Sequence, residues 1–130
     1  MKSLDFKKSK RFWVEGRPVP MPHGETRRNK WVFRDHPVVG WKTLVGLRAR
    51  QERHPDWPLP LTEPVGLSLQ FLVPRNAGDL KNLTWAVEDA MKGIVYTDDK
   101  QIIHYLEPFC RLKTPDAHGC IITIHWSVNE

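Results

Sequence analysis

Between Gly78 and Ile102 the chain reads GDLKNLTWAVEDAMKGIVYTDDKQI, and this stretch holds the residues best suited to chemistry. Asp79, Asp89, Asp98 and Asp99 are oxygen donors spread over a helix start, a helix face and the loop that follows. Carboxylates held near one another repel unless protons or cations separate them. Magnesium is the natural cation, because it prefers hard oxygen ligands and commonly takes one or two carboxylates with water and phosphate. A metal so held can position a phosphate, activate water and neutralise charge on a leaving oxygen. The same residues also suit plain structural work. An Asp at a helix start caps it, an Asp-Asp pair closes a turn, and Asn82 and Asp89 can bond nearby backbone. Spacing alone leaves both readings open.

Positioning these groups requires a helix from about Leu80 to Lys92, capped by Asp79 and ended by Gly93. On it, Leu80, Leu83, Val87, Ala90 and Met91 share a core face. Lys81, Glu88 and Lys92 fall on a second face, with Glu88 and Lys92 at the favourable i, i+4 spacing. Asn82, Ala86 and Asp89 form a third stripe at the core's edge, with Trp85 beside it, as a cleft-lining helix would show.

Around this helix the pattern predicts a strand over Arg11–Val19, closed by Pro18, Pro20 and Pro22, then a hairpin loop at 23–30 returning through Trp31-Val32-Phe33. Pro37 precedes an amphipathic helix through Val38, Trp41, Leu44, Val45 and Arg48. A proline-rich loop (54–64) leads to a core strand at Val65–Val73. Ile94-Val95-Tyr96 is a short apolar run. Ile102–Lys113 and Cys120–Val128 read as two strands joined by a turn at Pro115–Gly119. The order β-β-α-β-α-β-β has no internal repeat. It predicts an α+β two-layer sandwich, a mixed or antiparallel sheet with two helices on one face.

A chain of 130 residues suits one compact domain, expected at 11–130 behind a flexible basic tail at 1–10. Hydrophobic content of 40% is ordinary for a soluble protein, and no apolar run is long enough to span a bilayer. Phe12-Trp13-Val14 is too short for a signal-peptide core, so a cytoplasmic protein is expected. The net charge is +5, with most cations in the first third. Lys2, Lys7, Lys8, Lys10 and Arg11 form one group; Arg17, Arg27, Arg28, Lys30 and Arg34 a second; Lys42, Arg48, Arg50 and Arg53 a third. Such asymmetry fits a polyanion partner, although it also serves solubility. Cys110 and Cys120 lack metal-ligand spacing and are expected as buried free thiols on neighbouring strands, and no histidine pair has zinc-site spacing.

Asp79, Asn82, Asp89-Ala90, Gly93, Asp98-Asp99 and Gln101 together resemble the signature of RusA-type Holliday-junction resolvases, a bacterial family often carried by prophages. Gly16-Arg17-Pro18-Val19-Pro20 is similar to that family's Gly-x-Pro-x-Pro strand end, and the resemblance spans roughly residues 11–126. It implies a homodimer with one acidic site per subunit, making paired, magnesium-dependent nicks in four-way junctions during DNA recombination and repair, with manganese able to substitute. By this resemblance Asp79 and Asp99 lead the metal ligands, with Asp98 and Asp89 as neighbouring acids; Asp79, Asp89 and Asp99 form the catalytic set. Lys81, Arg75, Lys100, Arg27, Arg28 and Lys30 are the expected DNA contacts, and Asn82 and Trp85 shape the site. Two positions depart from the family pattern. Lys81 stands where a second Asp is usual, and Trp85 stands where a Lys is usual. Asp89 is the expected source of the missing carboxylate; otherwise the resemblance implies a junction-binding protein with a weakened or inactive site.

Overall fold

The computed structural model describes residues 6–22, 36–74 and 78–127; the predicted loop at 23–30 and return strand at 31–33 lie outside them. The elements are β1 (Lys8–Glu15), α1 (Pro37–Gln51), β2 (Val65–Val73), α2 (Leu80–Met91), β3 (Ile102–Tyr105), β4 (Cys110–Lys113) and β5 (Gly119–Trp126). They build the expected α+β domain around one mixed sheet. Antiparallel pairing joins β1 to β5 and β5 to β2, while β3 and β4 lie parallel to β2 on its other edge.

Alternation decides which face is buried. Phe12 and Val14 of β1, the odd residues Val65 to Val73 of β2, and Cys120, Ile122, Ile124 and Trp126 of β5 form one apolar layer. Val38, Trp41, Val45 and Ala49 of α1 and Leu83, Ala86, Val87 and Met91 of α2 join that same core. Pro37 opens α1 at a position where a missing N–H costs nothing, and His36 accepts from the Val38 N–H at 3.0 Å.

Several local expectations are corrected. The first strand starts at Lys8, so Lys8 to Lys10 belong to the sheet rather than to the basic tail. It ends at Glu15 because Gly16, at φ 138°, turns the chain out of the ladder before the prolines begin. The segment 102–113 is two strands, interrupted at Pro108, which has no N–H for a ladder. The predicted terminal hairpin is absent, because β2 runs between β4 and β5. Cys110 and Cys120 are therefore not on neighbouring strands. Both are free; Cys120 is buried and Cys110 half-buried.

Candidate active site

The acidic segment runs along α2, with Asp79 at the helix cap and Asp98 and Asp99 in a turn that follows the helix in sequence. At the N-terminal end Asp79 caps the helix, its carboxylate accepting from the Asn82 backbone N–H at 2.7 Å and from Asn82 Nδ2 at 3.4 Å. The Gly16–Pro20 segment buttresses this cap. Met21 N–H donates to the Asn82 carbonyl at 2.9 Å, and a Cβ on Gly78 would come within 2.7 Å of Pro20. Gly78 also sits at φ 94°, which side-chain-bearing residues rarely adopt, and its carbonyl accepts from Arg111. The two sequence motifs thus meet in space at the mouth of α2.

Beyond its C-terminal end, Asp98 and Asp99 open a short 3₁₀ turn at Asp99–Gln101, whose peg is Gln101. Its amide oxygen accepts from Thr97 N–H at 2.9 Å, Asp98 N–H at 2.8 Å and the Thr97 hydroxyl at 2.5 Å. Its amide nitrogen donates to the Leu61 and Glu63 carbonyls at 2.8 and 2.9 Å. One side chain therefore clamps the acidic turn to the proline-rich loop. The Lys100 N–H donates to Asp98 and holds that carboxyl below its usual range, whereas the bond and charge of Asp98 push Asp99 up. Lys92 partly offsets the pressure on Asp99, and Asp89 adds to it.

Glu88, predicted to pair with Lys92 in solvent, instead turns toward Tyr105, whose hydroxyl donates to it. Burial pushes its carboxyl up; the Tyr105 hydrogen bond opposes this, and the Asp99 charge adds to the rise. A carboxyl with a raised folded value contributes stability that is fully present below its ordinary value of 4.5 and is lost as pH climbs through the raised one. Glu88→Gln is therefore expected to narrow the loss of thermal stability between pH 4.5 and pH 8. Melting curves at both pH values, with an unchanged or wider gap in the variant, would reject this placement of Glu88.

The structure brings Asp99 within reach of the charges of Asp98, Glu88, Asp89 and Lys92. Asp79 is not among them. It lies ten residues from Asp89 on the same helix, about 15 Å of helical rise. Asp89 is the residue expected to supply the carboxylate missing at Lys81. Asp89 is about 12 Å along the helix from Lys81 and faces α1, where it pairs with Lys42. Among the described residues no three His, Cys, Asp or Glu groups converge tightly enough to hold a metal ion.

The cleft shares only part of the predicted stripe, since Asn82 and Trp85 line it and Ala86 and Asp89 do not. Ala86 is buried, and Asp89 lines the groove against α1. The open cleft is lined instead by Lys81, Asn82, Thr84, Trp85 and Glu88 of α2, with Tyr105 and Phe109 across from them. Lys81, Trp85 and Lys100 are exposed, whereas Arg75, Arg27, Arg28 and Lys30 lie outside the described residues. Of the basic groups, Lys8 pairs with Asp56, while Lys10 and Arg48 share Glu52. The residues that sequence reasoning missed are Glu88, Tyr105 and Lys42. For Glu88 a signal existed, since it shares a helix face with Lys81 and Trp85; nothing local marked the other two.

Residues 15–118 match the family model for endodeoxyribonuclease RusA. The chain belongs to the RusA endodeoxyribonuclease family. No curated protein matches it.

Proposed function

We propose that the chain is a magnesium-dependent endonuclease that resolves four-way DNA junctions by paired, symmetric nicks, with manganese as a substitute. The observation that supports this reading best is the Asp98–Asp99 pair, set side by side in the turn that Gln101 clamps, where the hydrogen bond to Asp98, then burial, then the Asp98 charge push the Asp99 carboxyl up. A hard cation relieves that repulsion in the way a proton does. Asp99 and Asp98 would hold it, with the carboxylates of Glu88 and Asp89 near enough to add their charge. When bound, magnesium supplies phosphate polarisation and a more acidic water. The chain's own part is to keep the two carboxylates aimed by the Gln101 clamp and to bring DNA phosphates to Lys81 and Lys100. Asp79 caps the helix mouth, two residues before Lys81, and offers an oxygen donor for a cation carried by the DNA.

A homodimer matches a substrate that needs two symmetric cuts. The sheet face away from the helices carries partly exposed Trp13, Leu72, Cys110, Leu112 and Ile121, a surface suited to a second copy. A second reading, junction binding without cleavage, is favoured by Lys81, a cation where the family pattern has an Asp. Incubating the chain with a synthetic four-way junction in Mg²⁺, Mn²⁺ or EDTA distinguishes them. Paired nicks that EDTA abolishes are the expected result. Salt-sensitive binding with no nick in either metal would establish the second reading instead.

A further inference from the structure

The nuclease reading says that branched DNA is bound but not what in it is recognised, and the cleft beside α2 answers that. Trp85 is 44% exposed on α2, and Tyr105 is 43% exposed across the cleft. Large aromatic surfaces left in water are costly, so two of them facing one cleft call for an occupant. Tyr105 is already built into a platform. It stacks on Phe109 at 4.9 Å with 29° between the rings, and its hydroxyl is tied to Glu88, which fixes the ring. The cleft holds about 790 Å³, within the range that takes a small planar ligand. At its wall Thr84 is 5% exposed, and its buried hydroxyl has no hydrogen-bond partner. A buried hydroxyl without a partner is uncommon and is relieved by a ligand that carries donors and acceptors on its edge. Lys81, exposed on the same helix face, offers a cation for an adjoining phosphate.

We propose that this cleft is a stacking site for one unpaired nucleobase, taken up between Trp85 and the Tyr105–Phe109 pair. Flat faces, polar edges and a neighbouring anion are the three properties the cleft matches, and a nucleotide has all three. Bases inside a duplex are already stacked on both sides and present no free face. A branch point or a single strand does, so the cleft makes the chain sensitive to DNA structure rather than to duplex sequence. The proposal rests on the nuclease reading for its biological setting but not for its measurement.

The test uses the full chain in EDTA, so that no cleavage intervenes, with a short single-stranded oligonucleotide and a blunt duplex of equal length. Trp41, Trp57 and Trp126 are buried, so the Trp85 signal is the quenching lost in Trp85→Ala, and affinities are read from the anisotropy of a labelled oligonucleotide. Trp85→Ala is expected to weaken single-strand binding by about ten-fold or more, and Trp85→Phe by much less, with duplex binding nearly unchanged for both. Equal single-strand affinity in the parent and Trp85→Ala chains, or equal losses for Ala and Phe, would overturn the stacking site. Nicking of junctions without Trp85 dependence removes this site and leaves the nuclease reading standing. Trp85-dependent single-strand binding without nicking in any metal does the reverse.

Discussion

Asp99→Asn is expected to lower metal-dependent junction nicking by about 10²–10³-fold or more, the scale of losing a ligand that stabilises transition-state charge. Junction binding in EDTA should change by less than about two-fold, because a carboxylate makes no favourable phosphate contact without a metal. Stability moves in the opposite direction. Asp98 raises the folded value of Asp99, so the Asp99 carboxylate costs stability at neutral pH, and that cost vanishes below its ordinary value of 3.8. Asn carries no charge, so the variant melts no lower than the parent at pH 7 while losing activity. A merely structural Asp99 would not give that pair of results. Asp79→Asn is the companion, since Asn caps a helix as well as Asp does and any loss cannot be laid to unfolding. Full nicking by both variants would remove this acidic segment from the reaction.

Gln101→Glu is expected to destabilise the fold by about 2–4 kcal/mol, because it removes both bonds the side chain donates while keeping those it accepts. The amide nitrogen that donates to the Leu61 and Glu63 carbonyls becomes an oxygen facing two oxygens. Its new charge also joins Asp98 and Asp99 in an already crowded turn. A melting temperature lower by roughly 10 °C is the corresponding readout for a chain of this size. Acid should restore part of the loss by protonating the new carboxyl. Gln101→Glu melting within about 2 °C of the parent at pH 7 would show that the clamp matters little.

Both results bear on what was legible in the sequence. The helix at Leu80–Met91, its Asp79 cap and its core face follow from a 3.6-residue period, because that information lies within one segment. The Asp98–Asp99 turn and Gln101 were legible as a motif, whereas the work of Gln101 was not. Its partners at Leu61 and Glu63 are some forty residues away, and backbone carbonyls carry no sequence signal. Asp89 and Glu88 exchanged roles for a similar reason. Helical spacing says which residues share a face, but only packing says whether that face meets α1, as Asp89 does at Lys42, or opens beside Tyr105. The false hairpin of β4 and β5 came from treating strands adjacent in sequence as adjacent in the sheet, which the parallel β2–β4 pairing defeats.

That pairing has a consequence for how the chain is made. The last strand, β5, is the one that joins β1 to β2, lying antiparallel to both. Until residue 126 has left the ribosome, the first strand has no partner among the described elements and the central strand has one bare edge. Local helices can form earlier, but the core layer they pack on cannot close. A nascent chain therefore keeps apolar strand edges unsealed until β5 emerges, and closure comes in a step dominated by contacts distant in sequence.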